Sequence, residues 1–129
     1  MALFLLDSDA VIDWINEFLP SKALIDELVD RDEVLATCDV VLTEVYAGLG
    51  VEDEERSRSF LDSLLYLQTP RSAAEQAGRW RFANARRGFS FSAYDMLVAA
   101  IAAAHNATVV TGNVRDYPMA DVSLLRLPR

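Results

Sequence analysis

Apolar residues recur along this chain in two alternating rhythms. Leu3 to Leu6 is a short, wholly apolar run closed by Asp7, the pattern of a central strand covered on both faces. Val11, Ile12, Ile15, Phe18 and Leu19 then repeat at helical spacing, and Pro20 stops the repeat, so one helix is predicted up to that point. Pro20 and Ser21 open a second helix, with Leu24, Ile25 and Leu28 as its buried stripe, ahead of a charged turn at 30–33. A short strand is expected near Val34 to Ala36, followed by a helix from about Asp39 to Gly48 or Gly50. Glu52 to Leu67 reads as one further helix, acidic at its start as the macrodipole favours, with Phe60, Leu61, Leu64 and Leu65 inward. Pro70 opens a long helix that runs to about Arg87 and closes at Gly88.

Ser92 begins the most informative stretch. Met96 to Ala104 is apolar on every side, so the helix that carries it is expected to be buried, with Asn106 as its stop. Thr108 to Thr111 is β-branched throughout and ends at Gly112, a strand signal. A loop then runs through Asp116 to Pro118, and a last strand is expected near Leu124 to Leu127. Strands alternating with helices imply one α/β domain over residues 1–129, with a mainly parallel sheet and helices on both faces. The longest apolar run is about half of what a membrane span requires, so no membrane partner is expected. Met1 to Leu6 lacks the basic start of a secretory signal, which gives a cytoplasmic expectation.

Composition narrows the chemistry. Cys38 is the single cysteine and His105 the single histidine, so neither a disulfide framework nor a thiolate or imidazole zinc site can form within the chain. Any metal must be held by oxygen, which favours Mg²⁺ or Mn²⁺. The formal net charge of −8 argues against a nucleic-acid partner, but the charge is unevenly spread. Residues 1–62 carry a net −12 and residues 63–129 a net +4. In the basic half Arg71, Arg79, Arg81, Arg86 and Arg87 lie close together with Trp80 and Phe82 interleaved. Such a segment suits a phosphate backbone with bases stacked on rings. It suits equally a solvated helix face with its aromatics turned to the core.

In a parallel α/β sheet, ligands bind beyond the carboxyl ends of the strands. Asp7 follows the first strand and Asp116 lies in the loop after Thr108–Thr111. Taken singly, Asp7 reads as a helix cap and Asp116 as a turn residue. Glu44 is harder to dismiss, because Val40, Val41, Ala47 and Gly48 surround it at helical spacing and place it on an inward stripe, where a carboxylate needs a partner. Asp95 stands three residues after Ser92, a capping position that also holds a carboxylate rigidly at the end of an apolar helix. Four carboxylates brought together repel one another unless a divalent cation joins them. Asp7, Glu44, Asp95 and Asp116 are therefore the candidate metal-ligating and catalytic residues, and phosphodiester hydrolysis is the natural reaction. Ser8, Thr43, Thr111 and Asn113 supply hydroxyl or amide groups beside them, suited to orienting a ligand or a phosphate.

These residues fall into blocks: an apolar strand then Asp7-Ser8; Thr43-Glu44-Val45 followed by Gly48; Asp95 opening Leu97-Val98-Ala99-Ala100; and Thr111-Gly112-Asn113-Val114-Arg115-Asp116-Tyr117. In order and spacing the chain resembles a PIN domain of the VapC toxin type over nearly its whole length. The resemblance implies a PIN-like three-layer sandwich and a Mg²⁺- or Mn²⁺-dependent endoribonuclease, the toxin of a toxin–antitoxin pair. It also implies a homodimer restrained by a small cognate antitoxin. By that likeness Asp7, Glu44, Asp95 and Asp116 are metal ligands or near-ligands, and Thr111 and Asn113 support the site; Arg79, Arg81, Arg86 and Arg87 of the basic stretch are the candidates for RNA contact. Asp9 adds an acid where the family often has a neutral residue, and Gly112 removes a side chain where polar ones are frequent.

Two other readings compete. Leu5 to Val11 also fits the Asp-x-Asp opening of haloacid-dehalogenase-type phosphatases, with Asp7 as nucleophile. That chemistry also uses a later lysine, and Lys22, in an early polar helix, is the only lysine present. A non-catalytic PIN-like binding module is the other: hydrophobic residues make up 52% of the chain, and Trp14 and Phe18 serve a partner as readily as a core.

Overall fold

The apolar run at the start of the chain forms a strand, β1 (Leu3–Leu6), and it occupies the centre of the sheet. The computed structural model describes residues 1–49 and 54–128. After β1 come α1 (Ser8–Ile15), α2 (Leu19–Asp30), β2 (Val34–Cys38), α3 (Asp39–Leu49), α4 (Glu55–Ser63), β3 (Leu65–Leu67), α5 (Arg71–Arg86), α6 (Ala93–Ala104), β4 (Thr108–Thr111) and β5 (Leu124–Arg126). A single 3₁₀ turn, Val114–Asp116, lies between the last two strands. The sheet order is β3-β2-β1-β4-β5, and every pairing is parallel. The chain runs from β1 through β2 to β3 in one direction across the sheet and returns to β4 on the other side of β1; crossovers of the usual right hand then set the connecting helices on opposite faces. The mainly parallel three-layer α/β expectation is met. β1 is where the strand order reverses, and the carboxyl ends of β1 and β4 flank that reversal, the position where such sheets hold ligands.

Burial follows the apolar rhythm. Leu5 and Leu6 of β1, Val109 and Val110 of β4, and Met96, Val98 and Ile101 of α6 are fully buried, as a doubly covered sheet requires. α6 is capped by Ser92, whose hydroxyl accepts the Asp95 amide at 3.0 Å, and the chain leaves it through Asn106 in the left-handed region (φ 55°). No helix among the described residues is long and apolar enough to cross a membrane.

Two expectations need correction. The first helix ends at Ile15, because Glu17 turns left-handed (φ 58°) and α2 starts at Leu19 with Phe18 as its cap. Phe18 and Leu19 match the helical spacing yet are 44% and 72% exposed. The single helix expected from Glu52 to Leu67 is a helix and then a strand; its expected start at Glu52, like the alternative stop at Gly50, lies outside the described residues. The Ser63 hydroxyl bonds the Phe60 carbonyl at 2.6 Å, competing with the helical ladder. The next three residues then pair with the open edge of β2, Ala36 opposite Leu65 and Cys38 opposite Leu67. Leu65, expected inward, is half exposed on this edge strand.

Two glycines test the backbone account. Gly88 closes α5 with φ +88°, and Gly78 sits inside α5 with ordinary φ; a Cβ built at either meets nothing within 4 Å. Gly88→Ala is expected to destabilise by about 1 kcal/mol from backbone strain alone, and Gly78→Ala to stabilise by roughly 0.5–1 kcal/mol. Urea midpoints of the two variants check the opposite signs.

Candidate functional site

Asp7 lies where β1 gives way to α1, and both elements use it. Its backbone carbonyl accepts the Val11 amide at 3.2 Å, its amide donates to the Val110 carbonyl of β4 at 3.0 Å, and its side chain caps α1 by accepting the Ser8 amide at Oδ1, 2.8 Å. The carboxylate is only 4% exposed. Its second oxygen, Oδ2, accepts the Thr111 hydroxyl at 3.0 Å and the Tyr117 hydroxyl at 2.6 Å. These donors come from the end of β4 and the loop after it, so the two halves of the chain meet on one carboxylate.

The other acids gather around it. Glu44, in the middle of α3, is half-buried and not fully inward as expected, and the Ser8 hydroxyl hydrogen-bonds it. Its pKa is raised first by burial and then by the charges of Asp7 and Asp95, with Asp9 adding to the effect and Ser8 opposing it. Asp95, in the first turn of α6, is also raised, by burial first, with Asp7 and Asp116 adding and its bond from Ser92 opposing. Asp116 ends the 3₁₀ turn and enters the group through Asp95. The four predicted acids are thus electrostatic neighbours at one end of the sheet. Among the described residues no group of three or more His, Cys, Asp or Glu side chains stands ready-spaced to hold a metal ion. What the group offers is an all-oxygen, strongly negative donor set in which the neighbouring charges help raise the pKa of Glu44 and Asp95, and that set matches a hard divalent cation.

The supporting residues divide. Ser8 and Thr111 touch the acids directly. Asn113 donates its amide to Thr111 Oγ1 at 3.0 Å and reaches Asp9 Oδ2 with its side chain at 3.4 Å. Thr43 is exposed, and its hydroxyl bonds the Asp39 carbonyl one turn back at 2.8 Å, so it serves its own helix and not the site. Adjacent residues on a helix point about 100° apart, so Thr43 cannot share the direction of Glu44. Asp9 accepts the Gly112 amide at 2.8 Å and so fastens the loop after β4 to α1. Tyr117 is the residue that motif reading missed. It appeared only as the aromatic closing the last block, but a tyrosine only 3% exposed needs a partner for its hydroxyl, and that partner is Asp7. Burial and the Asp7 charge drive its pKa upward, which keeps the hydroxyl protonated as a donor.

The arginines lie along α5 and its exit. Arg79 bonds Gln76, Arg81 Nε donates to the Phe91 carbonyl at 3.0 Å, Arg86 lies over the Phe82 ring and Arg87 over the Phe89 ring. All four are exposed, as are Phe82 (64%), Phe89 (52%) and Tyr94 (51%). This surface leads into the first turn of α6, one residue short of Asp95.

Comparison with known proteins points the same way. The PIN domain model matches residues 4–122. Ribonuclease VapC19 of Mycobacterium tuberculosis is 26% identical over 117 residues, spanning 89% of this chain and 92% of the relative. Ribonuclease VapC2 of Rickettsia felis is 26% identical over 120 residues, spanning 89% and 90%. Among solved structures, the fold is shared with VapBC2 from Rickettsia felis bound to a promoter DNA fragment (TM-score 0.80, 23% identity, 98% of this chain and 99% of that one). It is shared also with VapBC-1 from nontypeable Haemophilus influenzae (TM-score 0.78, 19% identity, 96% and 97%).

The raised carboxyls have a consequence for stability. A carboxyl whose folded pKa exceeds its unfolded value contributes stability below the unfolded value and loses it as pH rises through the folded one. Metal-free protein is therefore expected to lose stability as pH climbs above the ordinary Glu and Asp values of 4.5 and 3.8. Glu44→Gln and Asp95→Asn should each raise the metal-free Tm at pH 7 and flatten that decline. Thermal melts from pH 4 to 8 in chelator decide it; variants less stable than the parent at pH 7 would contradict the repulsion.

Proposed function

The chain belongs to the PIN domain family, and from that premise we propose that it is a metal-dependent endoribonuclease, the toxin of a VapBC-type toxin–antitoxin pair. The observation that carries this reading is the gathering of Asp7, Glu44, Asp95 and Asp116 at the carboxyl end of the central strand. Curated relatives of this chain are named ribonucleases over nearly their full length. In this reading the four acids hold Mg²⁺ or Mn²⁺. Hydrolysis of a phosphodiester builds negative charge on the phosphoryl and leaving oxygens, which an acid cluster alone would oppose. The bound ion supplies the neutralising charge and a more acidic water. The protein's own part is to hold the acids in place: Ser8 restrains Glu44, Ser92 restrains Asp95 through its backbone, and Thr111 restrains Asp7.

The RNA strand approaches over α5. Arg86 and Arg87 provide phosphate contacts, and Phe82, Phe89 and Tyr94 offer exposed ring faces on which bases stack. Arg79 lies two turns before Arg86 on the same face of α5, and Arg81 adds positive charge on another face of that helix. An RNA substrate assigns the work to the cytoplasm. The antitoxin partner rests on the relatives that form VapBC complexes. An apolar cleft lined by Trp14, Val29, Leu35, Phe60, Leu64 and Leu65 gives this chain surface for a protein partner, and a homodimer is part of the same reading.

Asp7→Asn is expected to lower RNA cleavage by more than about a hundredfold and to abolish stabilisation by Mn²⁺. Gel assays on folded RNA together with thermal melts read both; unchanged cleavage removes Asp7 from the mechanism. In the Asp7→Asn background, Arg86→Ala combined with Arg87→Ala should weaken single-stranded RNA binding. The double change should also reduce the salt slope by roughly 0.7 per lost phosphate contact. Fluorescence anisotropy across a salt series measures this, and an unaltered slope places the RNA elsewhere.

A further inference from the structure

On the metal reading above, Asp7 is a ligand, and the hydrogen bonds around it decide which of its oxygens is free to serve. A carboxylate oxygen offers two in-plane lone pairs. Oδ2 accepts two hydroxyls, Tyr117 at 2.6 Å and Thr111 at 3.0 Å. The threonine is held in this sense because its oxygen accepts the Asn113 amide at 3.0 Å, which turns its own proton toward Asp7. Among the described residues Oδ1 accepts one hydrogen bond, from the Ser8 amide at 2.8 Å. One lone pair on Oδ1 is left over.

We propose that Tyr117 is a positioning residue: with Thr111 it occupies both lone pairs of Asp7 Oδ2, so that Asp7 meets a divalent cation through Oδ1 alone and in a fixed orientation. Rotation about the terminal torsion of an aspartate is soft. Here two donors carried by the far end of β4 and its loop resist it, 104 and 110 residues away in sequence. A phenylalanine at 117 would fill the same buried space without the hydroxyl. Single-oxygen ligation also leaves more of the coordination sphere for water and phosphate, which suits Mg²⁺.

Mn²⁺ titration of the full chain by calorimetry, with Tyr117→Phe and Thr111→Val beside the parent, tests the assignment. The expected result is a roughly tenfold rise in the Mn²⁺ Kd for each variant, within the range seen when partners of metal ligands are removed. The titrations are run at a temperature where all three proteins are folded, so a purely structural tyrosine would lower Tm and leave Kd unmoved. Infrared difference spectra, Mn²⁺-loaded minus metal-free, add a signature. The parent should show a carboxylate band pair with the wide splitting of one-oxygen ligation, and that splitting should narrow in Tyr117→Phe, where all four acids are still present. A Tyr117→Phe Kd within twofold of the parent, or a difference spectrum that Tyr117→Phe leaves unchanged, overturns the proposal while leaving the metal reading intact. No Mn²⁺ binding by the parent overturns both.

Discussion

A carboxylate 4% exposed at the end of the central strand is tolerable only if donors compensate its charge, and the architecture around Asp7 is organised to supply them. The start of α1 gives one backbone amide, together with the positive end of the helix macrodipole. β4 and the loop after it give two hydroxyls. The two hydroxyls reach Asp7 because β1 and β4 lie side by side in the register that sets Leu6 opposite Val110. Asp9 strengthens the same junction from the first turn of α1 by accepting the Gly112 amide. Folding the sheet and forming the site are therefore one event, with the charge on Asp7 linking the first ten residues to the last twenty.

The neighbours of Asp7 show the opposite balance. Glu44 and Asp95 each have a single hydroxyl or amide opposing the burial and the like charges that push their pKa upward. The site thus divides into one acid fixed by the fold and others left under electrostatic tension. Tension of this kind is relieved by positive charge, and affinity for a cation grows with the repulsion it removes. Local instability and the capacity to hold a divalent ion are two descriptions of the same arrangement.

Much of this was legible in the sequence, for identifiable reasons. β1, α5, α6 and β4 carry their own signals: an unbroken apolar run, a proline opening and glycine closing, a capping serine, a β-branched run. Asp7, Asp95 and Asp116 stood out because each closes, opens or follows such an element, and Glu44 because Val40, Val41, Ala47 and Gly48 surround it at helical spacing. The misreadings occur where the deciding partner is distant. Three-residue β3 owes its existence to the edge of β2, and the local spacing of Leu64, Leu65 and Leu67 continues a helix just as well. The corner between α1 and α2 depends on one left-handed residue, Glu17, whose side chain gives no warning of it. Thr43 was grouped with Glu44 by adjacency, although neighbours on a helix diverge. The partner of Tyr117 lies 110 positions away, and only the rule that a buried hydroxyl must be satisfied points to it.

The uneven charge of the chain bears on how an acidic protein serves a polyanion. At physiological salt a charge is felt over about 8 Å, so the net −8 of the whole molecule matters less than what a strand meets locally. Along the second half of α5 and its exit, arginines lie over exposed rings, with no acid between Glu75 and Asp95. At Asp95 the acids begin, with Asp7 and Asp116 as its electrostatic neighbours. A phosphate held on the arginine side is carried toward the acids only if a cation reverses the sign there. On the proposed reading, the same ion that would drive hydrolysis would also gate entry between Arg87 and Asp95.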